Sequence, residues 1–137
     1  MIKNEYPPNI AEIRKFFTLK KGIVFSYYPD IYAPDSNILN LALFAHEMIH
    51  LAQQKEYGVE KWWDRYLRDN AFRLSQEIFA HQVQAIEAKK YIKDRNQYAR
   101  YIYELASNLS SNIYGRIISF SDALRVIKSG KNYNFRV

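Results

Sequence analysis

The chain has 137 residues, 48% hydrophobic and 25% charged, which is the length of one domain and the composition of an ordinary globular protein, and this excludes disordered and collagen-like classes. It contains no cysteine, so disulfides, thiolate metal sites and cysteine nucleophiles are excluded together, and a reducing cytoplasmic setting fits best. The net charge of +6 is uneven, with ten basic and three acidic side chains over 89–137, a pattern that suits an acidic protein or nucleic-acid partner, or a solvated helical face.

The opening segment, MIKNEYPPNIAEIRKFF, carries charges and two prolines where a signal peptide needs a continuous apolar run. No stretch is long and apolar enough for a membrane span, so no membrane partner is expected. Neither a repeat nor a linker divides the sequence, which reads as a single domain over 1–137 with a basic helical part over 95–137. A β-branched and aromatic run over 22–28 predicts a strand, followed by a loop over 29–34. Asp35 and Ser36 offer N-cap oxygens for a helix beginning near Asn37 and stopping at Gly58. Further helices are predicted over 60–69, over 72–94 after a break at Asp69-Asn70, and over 97–113. In the 72–94 helix Leu74, Ile78, Ala85, Ile86 and Ile92 form the apolar stripe, and Ser121 with Asp122 caps a short last helix ending near Gly130. The expected class is mainly α (α+β), with a small N-terminal β-sheet.

Residues 46–50 read His-Glu-Met-Ile-His, the H-E-x-x-H pattern, inside a segment predicted helical on independent grounds. Side chains four apart on an α-helix are offset by only about 40°, so His46 and His50 share a face and can reach one ion. Zinc takes neutral imidazole nitrogens, and a catalytic site adds a third protein ligand while leaving one position open. Glu47, on the same turn, then stands where it can take a proton from water. Leu43, Phe44, Ala45, Met48, Ile49 and Leu51 surround these polar groups in the sequence, where an unpartnered glutamate would be costly.

The metzincin continuation demands glycine at 53 and histidine at 56, and this chain has Gln53 and Glu56; a continuing helix turns Glu56 away from His50, toward solvent. Better third ligands lie in Ser75-Gln-Glu-Ile-Phe-Ala-His81, where Glu77 and His81 are again four apart on one face.

His46-Glu47-x-x-His50 followed on a later helix by Glu77-x-x-Ala80 resembles the gluzincin group of zinc metallopeptidases, and is similar to small uncharacterised H-E-x-x-H proteins of bacteria and their phages. The resemblance spans 46–81 and implies a minimal zincin-like fold, with an active-site helix beside a long ligand helix. It makes His46, His50 and Glu77 the Zn2+ ligands and Glu47 the base of peptide-bond hydrolysis on a peptide or protein substrate. His81 stands where the family often has an aspartate, leaving it as a neighbour of the ligands or an alternative ligand. A phage-encoded chain would act in the host cytoplasm or the virion. The competing expectation is a phage or virion structural protein that keeps the fold and docks its basic C-terminal helices on nucleic acid or an acidic partner.

Three further expectations attach to this reading. Tyr27, Tyr28 and His81 are candidate donors to the oxyanion of hydrolysis. The edge of the 22–28 strand is a candidate for substrate binding by β-augmentation. The aromatic stretch 57–72, with Trp62, Trp63 and Tyr66 among Lys61, Arg65 and Arg68, is expected to turn its tryptophans inward and its cations outward, or else to stack on bases or cover the site.

Overall fold

A computed structural model describes residues 1–35 and 39–130. Two short strands and a helix open the chain: β1 (Ile2–Lys3), α1 (Ile10–Phe16) and β2 (Phe25–Tyr27). Then come β3 (Asp30–Tyr32), α2 (Leu41–Tyr57), α3 (Val59–Arg68), α4 (Asn70–Lys89) and α5 (Arg95–Leu109), a 3-10 turn at Asn112–Tyr114, and α6 (Phe120–Ser129). The described chain is thus mainly helical with a small three-stranded sheet, in the order β1-β3-β2, where β1 runs parallel and β2 antiparallel to β3.

Polar caps set the helix starts. Asn40, Asp69, Asp94 and Ser119 each accept a hydrogen bond from a backbone N–H three residues on, at 2.8, 3.1, 2.9 and 3.0 Å. Gly58, at φ 98°, ends α2 and starts α3 at once, a conformation a side chain would strain. Gly115 combines φ 76° with a packing demand, because a Cβ there would stand 2.7 Å from the Asn70 amide nitrogen.

Several sequence expectations change. The strand over 22–28 shrinks to β2, and the expected loop contains β3, whose Ile31 N–H bonds to Met1 carbonyl; short edges built by a distant N-terminal strand leave little local signal. The helix α1 lies in a segment read only for its lack of a signal peptide. Helix α2 begins at Leu41 behind Asn40, while Asp35 accepts from the Gly22 N–H instead of capping it; Ser36 and Asn37 lie outside the described residues. Helix α4 ends at Lys89, before Ile92, and Ile86 is exposed. Ser119, rather than Ser121 with Asp122, caps α6. Of the basic C-terminal part, residues 131–137 lie outside the described residues.

Two apolar clusters carry the packing. One joins Leu74, Ile78 and Ala85 of α4 to Ile102, Leu105 and Leu109 of α5 and to Ala123, Val126 and Ile127 of α6. The other gathers Ile13, Phe25, Tyr32, Trp62, Trp63, Leu67 and Phe72 from the N-terminal elements, α3 and the start of α4. Between them α2 lies along α4 in antiparallel sense, His46 meeting Gln84 and Gln53 meeting Gln76. Leu109, fully buried in the first cluster, tests the separation of stability from site. Leu109→Ala should cost about 3 kcal/mol in urea unfolding, and should leave metal affinity at the α2/α4 crossing unchanged.

Candidate metal centre

The polarity of α2 is reversed from that of an ordinary surface helix. His46, Glu47, His50 and Gln54 are buried, while Leu41, Phe44 and Met48 are exposed at 55%, 37% and 45%. Phe44 and Met48 therefore do not wall the polar groups, as the sequence suggested; the inward arc of the helix is the polar one. The two histidines face α4, as their spacing requires, and Glu56 is exposed.

Glu77 rises from α4 to meet them. His46 Nε2 and His50 Nε2 are 3.1 Å apart, and Glu77 Oε1 lies 3.1 Å from the first and 3.2 Å from the second. Four-coordinate zinc with ligands at 2.0–2.1 Å separates neighbouring ligand atoms by roughly 3.3–3.4 Å, so this triangle is of the size a small divalent cation needs.

Hydrogen bonds behind the imidazoles assign their tautomers. Gln53 donates its amide Nε2 to the Gln76 carbonyl at 3.1 Å, so its Oε1 accepts from His50 Nδ1 at 2.9 Å. Gln84 likewise gives Nε2 to the Tyr101 hydroxyl at 2.8 Å and receives His46 Nδ1 at 2.8 Å. With both Nδ1 atoms donating, both Nε2 lone pairs point at Glu77, the arrangement metal-binding histidines adopt. Glu77 Oε1, buried, has no aligned donor among the described residues, although its neighbour Oε2 accepts from the Tyr66 hydroxyl at 2.5 Å. With both imidazoles neutral, three buried acceptors face one another without a donor, an arrangement that fits a cation.

His46, Glu77 and His81 form a buried group whose ligand atoms lie within 4.8 Å of one another, so that His81 also belongs to a cluster able to hold a metal ion. His50 makes the tighter approach, because His81 Nδ1 is engaged by the Glu77 carbonyl at 2.8 Å and stands 3.5 Å from Oε1.

Electrostatics follow from this crowding. Burial alone would lower His50, yet the Glu77 carboxylate overrides it and holds the imidazole up to about 9. Glu77, which burial would raise, is pulled well below the usual carboxylate range by His50 and His46. Burial, with His46 nearby, pushes His81 down to about 4. Burial and the Glu77 charge together push the Tyr66 phenol well above its ordinary value. Without metal, the His50 imidazole and the Glu77 carboxylate thus hold each other charged.

Glu47 stands beside the triangle. Its Oε1 accepts from the Ser26 hydroxyl at 2.6 Å, and its Oε2 lies 4.0 Å from His46 Nε2. These groups line a cavity of about 180 Å³ whose walls are largely apolar, from Phe17, Leu19 and Ile23 to Trp62, Trp63 and Ile113.

Strand β2 is an outer strand of its sheet, but its edge is occupied. Ile31 turns its N–H to β1, so its partner Ser26 points its backbone groups away from β3. There the Ser26 carbonyl accepts from Gln54 Nε2 and Trp63 Nε1, both at 3.0 Å, and the Tyr28 N–H donates to Gln54 Oε1 at 2.7 Å. The expected β-augmentation at these residues is therefore blocked by side chains of α2 and α3. Trp62 and Trp63 do turn inward, and Lys61 and Arg68 outward. Tyr27 and Tyr28 are not among the residues lining the cavity; Tyr66 and Ser26 are. Sequence reasoning placed Tyr66 only within an aromatic stretch and gave Ser26 no role, since a contact across 21 residues has no periodic signature.

No family model, no curated protein and no solved structure matches this chain.

Metal titration should find one zinc per chain. Glu77→Gln and His50→Ala should abolish stoichiometric uptake, whereas His81→Ala should retain it; the reverse pattern would assign His81 as the ligand. Because metal must displace the His50 proton, calorimetry at neutral pH should record about one proton released, with apparent affinity falling about tenfold for each pH unit below about 9.

Metal-free stability should peak near pH 6.5. The raised His50 contributes stability present below 6.5 and lost as pH climbs through about 9. Neutral His81 costs stability as pH falls from 6.5 toward about 4, and the depressed Glu77 loses its contribution as its carboxylate protonates below 4.5. Urea midpoints across this range check both limbs.

Proposed function

We propose that the chain is a zinc-dependent metallopeptidase of minimal zincin-like, gluzincin-type design, hydrolysing peptide bonds with Glu47 as general base. The observation that carries the reading is the Glu47 carboxylate, buried beside three converging acceptors at the foot of a cavity. A metal used only to hold the fold would leave that carboxylate without a task.

Bound by His46, His50 and Glu77, zinc would supply Lewis acidity, polarising a peptide carbonyl and bringing the pKa of water toward about 7. The rest belongs to the protein. Ser26 holds Oε1 of Glu47, which leaves Oε2 to accept the proton of the attacking water as the O–C bond forms. The same oxygen returns that proton to the leaving nitrogen as the C–N bond breaks. Gln53 and Gln84 keep both imidazoles aimed, and the apolar walls exclude bulk water and suit an apolar side chain of the substrate. With the β2 edge occupied at Ser26 and Tyr28, a substrate is held by its side chains more than by strand addition there.

The alternative, docking of basic helices on nucleic acid or an acidic protein, is supported by charge alone. Arg95, Arg100, Arg125 and Lys128 are exposed, but Arg125 is paired with Asp122. Among the described residues no helix is long and apolar enough to cross a membrane.

Incubating the zinc-loaded protein with a mixture of denatured proteins and mapping new termini by mass spectrometry tests the function. Glu47→Gln should keep the metal and lower cleavage by about 10²–10⁴-fold. Equal cleavage by the variant would remove Glu47 as the base.

A further inference from the structure

The two oxygens of Glu77 live in different surroundings. Oε2 accepts the phenol of Tyr66 at 2.5 Å, while Oε1 faces both imidazole nitrogens without an aligned donor. We propose that Tyr66 is a positioning residue that makes Glu77 a one-oxygen ligand, its phenol holding Oε2 so that Oε1 alone meets the cation. This rests on the metal-site reading above and adds what determines the number of ligands at that site.

The consequence is a count. Two imidazoles and one carboxylate oxygen occupy three positions of a tetrahedral ion and leave the fourth open, as catalytic zinc requires. A carboxylate bound through both oxygens would occupy two positions, so that water bound beside it would make the ion five-coordinate. Nothing in the sequence of Glu77 itself chooses between these modes, because a carboxylate pivots freely about its last torsion. A donor on one oxygen makes the choice.

Tyr66 is built to hold that place. Its ring stacks on Trp62 at 4.7 Å with the planes 20° apart and meets Trp63 edge-on at 5.3 Å. Trp62 is itself fixed by its indole N–H on Gln76 Oε1 at 2.9 Å. Behind the ring, the Arg73 guanidinium donates to the Tyr66 carbonyl and lies 5.7 Å from the ring centroid. Helix α3 is thereby locked against α4, and the phenol cannot swing from Glu77 without unstacking from Trp62 and losing its edge contact with Trp63. Each helix around the site then has its own part: α2 brings His46, His50 and Glu47, α4 brings Glu77, and α3 brings the group that orients it.

Tyr66→Phe, probed with Co(II) alone and with Zn(II) alone, tests this. The parent should give the intense visible absorption of four-coordinate Co(II). The variant should lose several-fold of that intensity as Glu77 turns to bind through both oxygens, and its zinc affinity should change by about 10–100-fold. A role in packing alone would lower the melting temperature of the metal-free variant and leave the cobalt spectrum as in the parent, and that result overturns the proposal. A second measurement needs no variant: X-ray absorption of the zinc-loaded parent should count four light-atom neighbours, and five or more would overturn the one-oxygen assignment. A parent that takes up neither metal overturns the metal-site reading as well, which separates the two failures.

Discussion

The organising constraint is the approach of three hydrogen-bond acceptors, two imidazole nitrogens and one carboxylate oxygen, to within 3.1–3.2 Å of each other in a buried place. Lone pairs in that arrangement repel unless something positive lies between them, and burial removes the water that would otherwise screen them. Without metal, a proton on His50 does that duty, which is why its pKa stands near 9 while Glu77 is held ionised. A divalent cation satisfies all three atoms at once.

Holding such a cluster together requires a frame stable without it. The two apolar clusters lie to either side of the α2/α4 crossing, one formed with α5 and α6 and one with α1, the sheet and α3. Stability is thus invested away from the site, while α2 turns Glu47, its two histidines and Gln54 inward and leaves Leu41, Phe44 and Met48 in solvent. The burial of polar groups on α2 is the pattern seen when function and folding compete for the same residues.

The supporting hydrogen bonds converge on one place. Gln53 and Gln84 aim the imidazoles, Tyr66 restrains Glu77, and Ser26 restrains Glu47. Gln54 and Trp63 close the same strand that supplies Ser26, so the strand that restrains Glu47 also has its edge occupied where an extended peptide could add. The apolar cavity bordered by Phe17, Leu19 and Ile23 is therefore the approach to the two imidazoles and Glu77.

What the sequence by itself determined is whatever a single helix decides. The spacing of His46, Glu47 and His50 places them on one face because 3.6 residues make a turn, and the same arithmetic turns Glu56 to solvent. The mainly helical class was legible from periodic runs, and the small sheet only from the β-branched and aromatic run that contains β2. What only the tertiary structure decided is everything that joins distant segments: β1 beside β3, the meeting of Glu77 with both imidazoles, and the contacts of Tyr66, Ser26 and Gln84. Such contacts depend on how helices pack rather than on how one helix winds, and packing leaves no period in the chain.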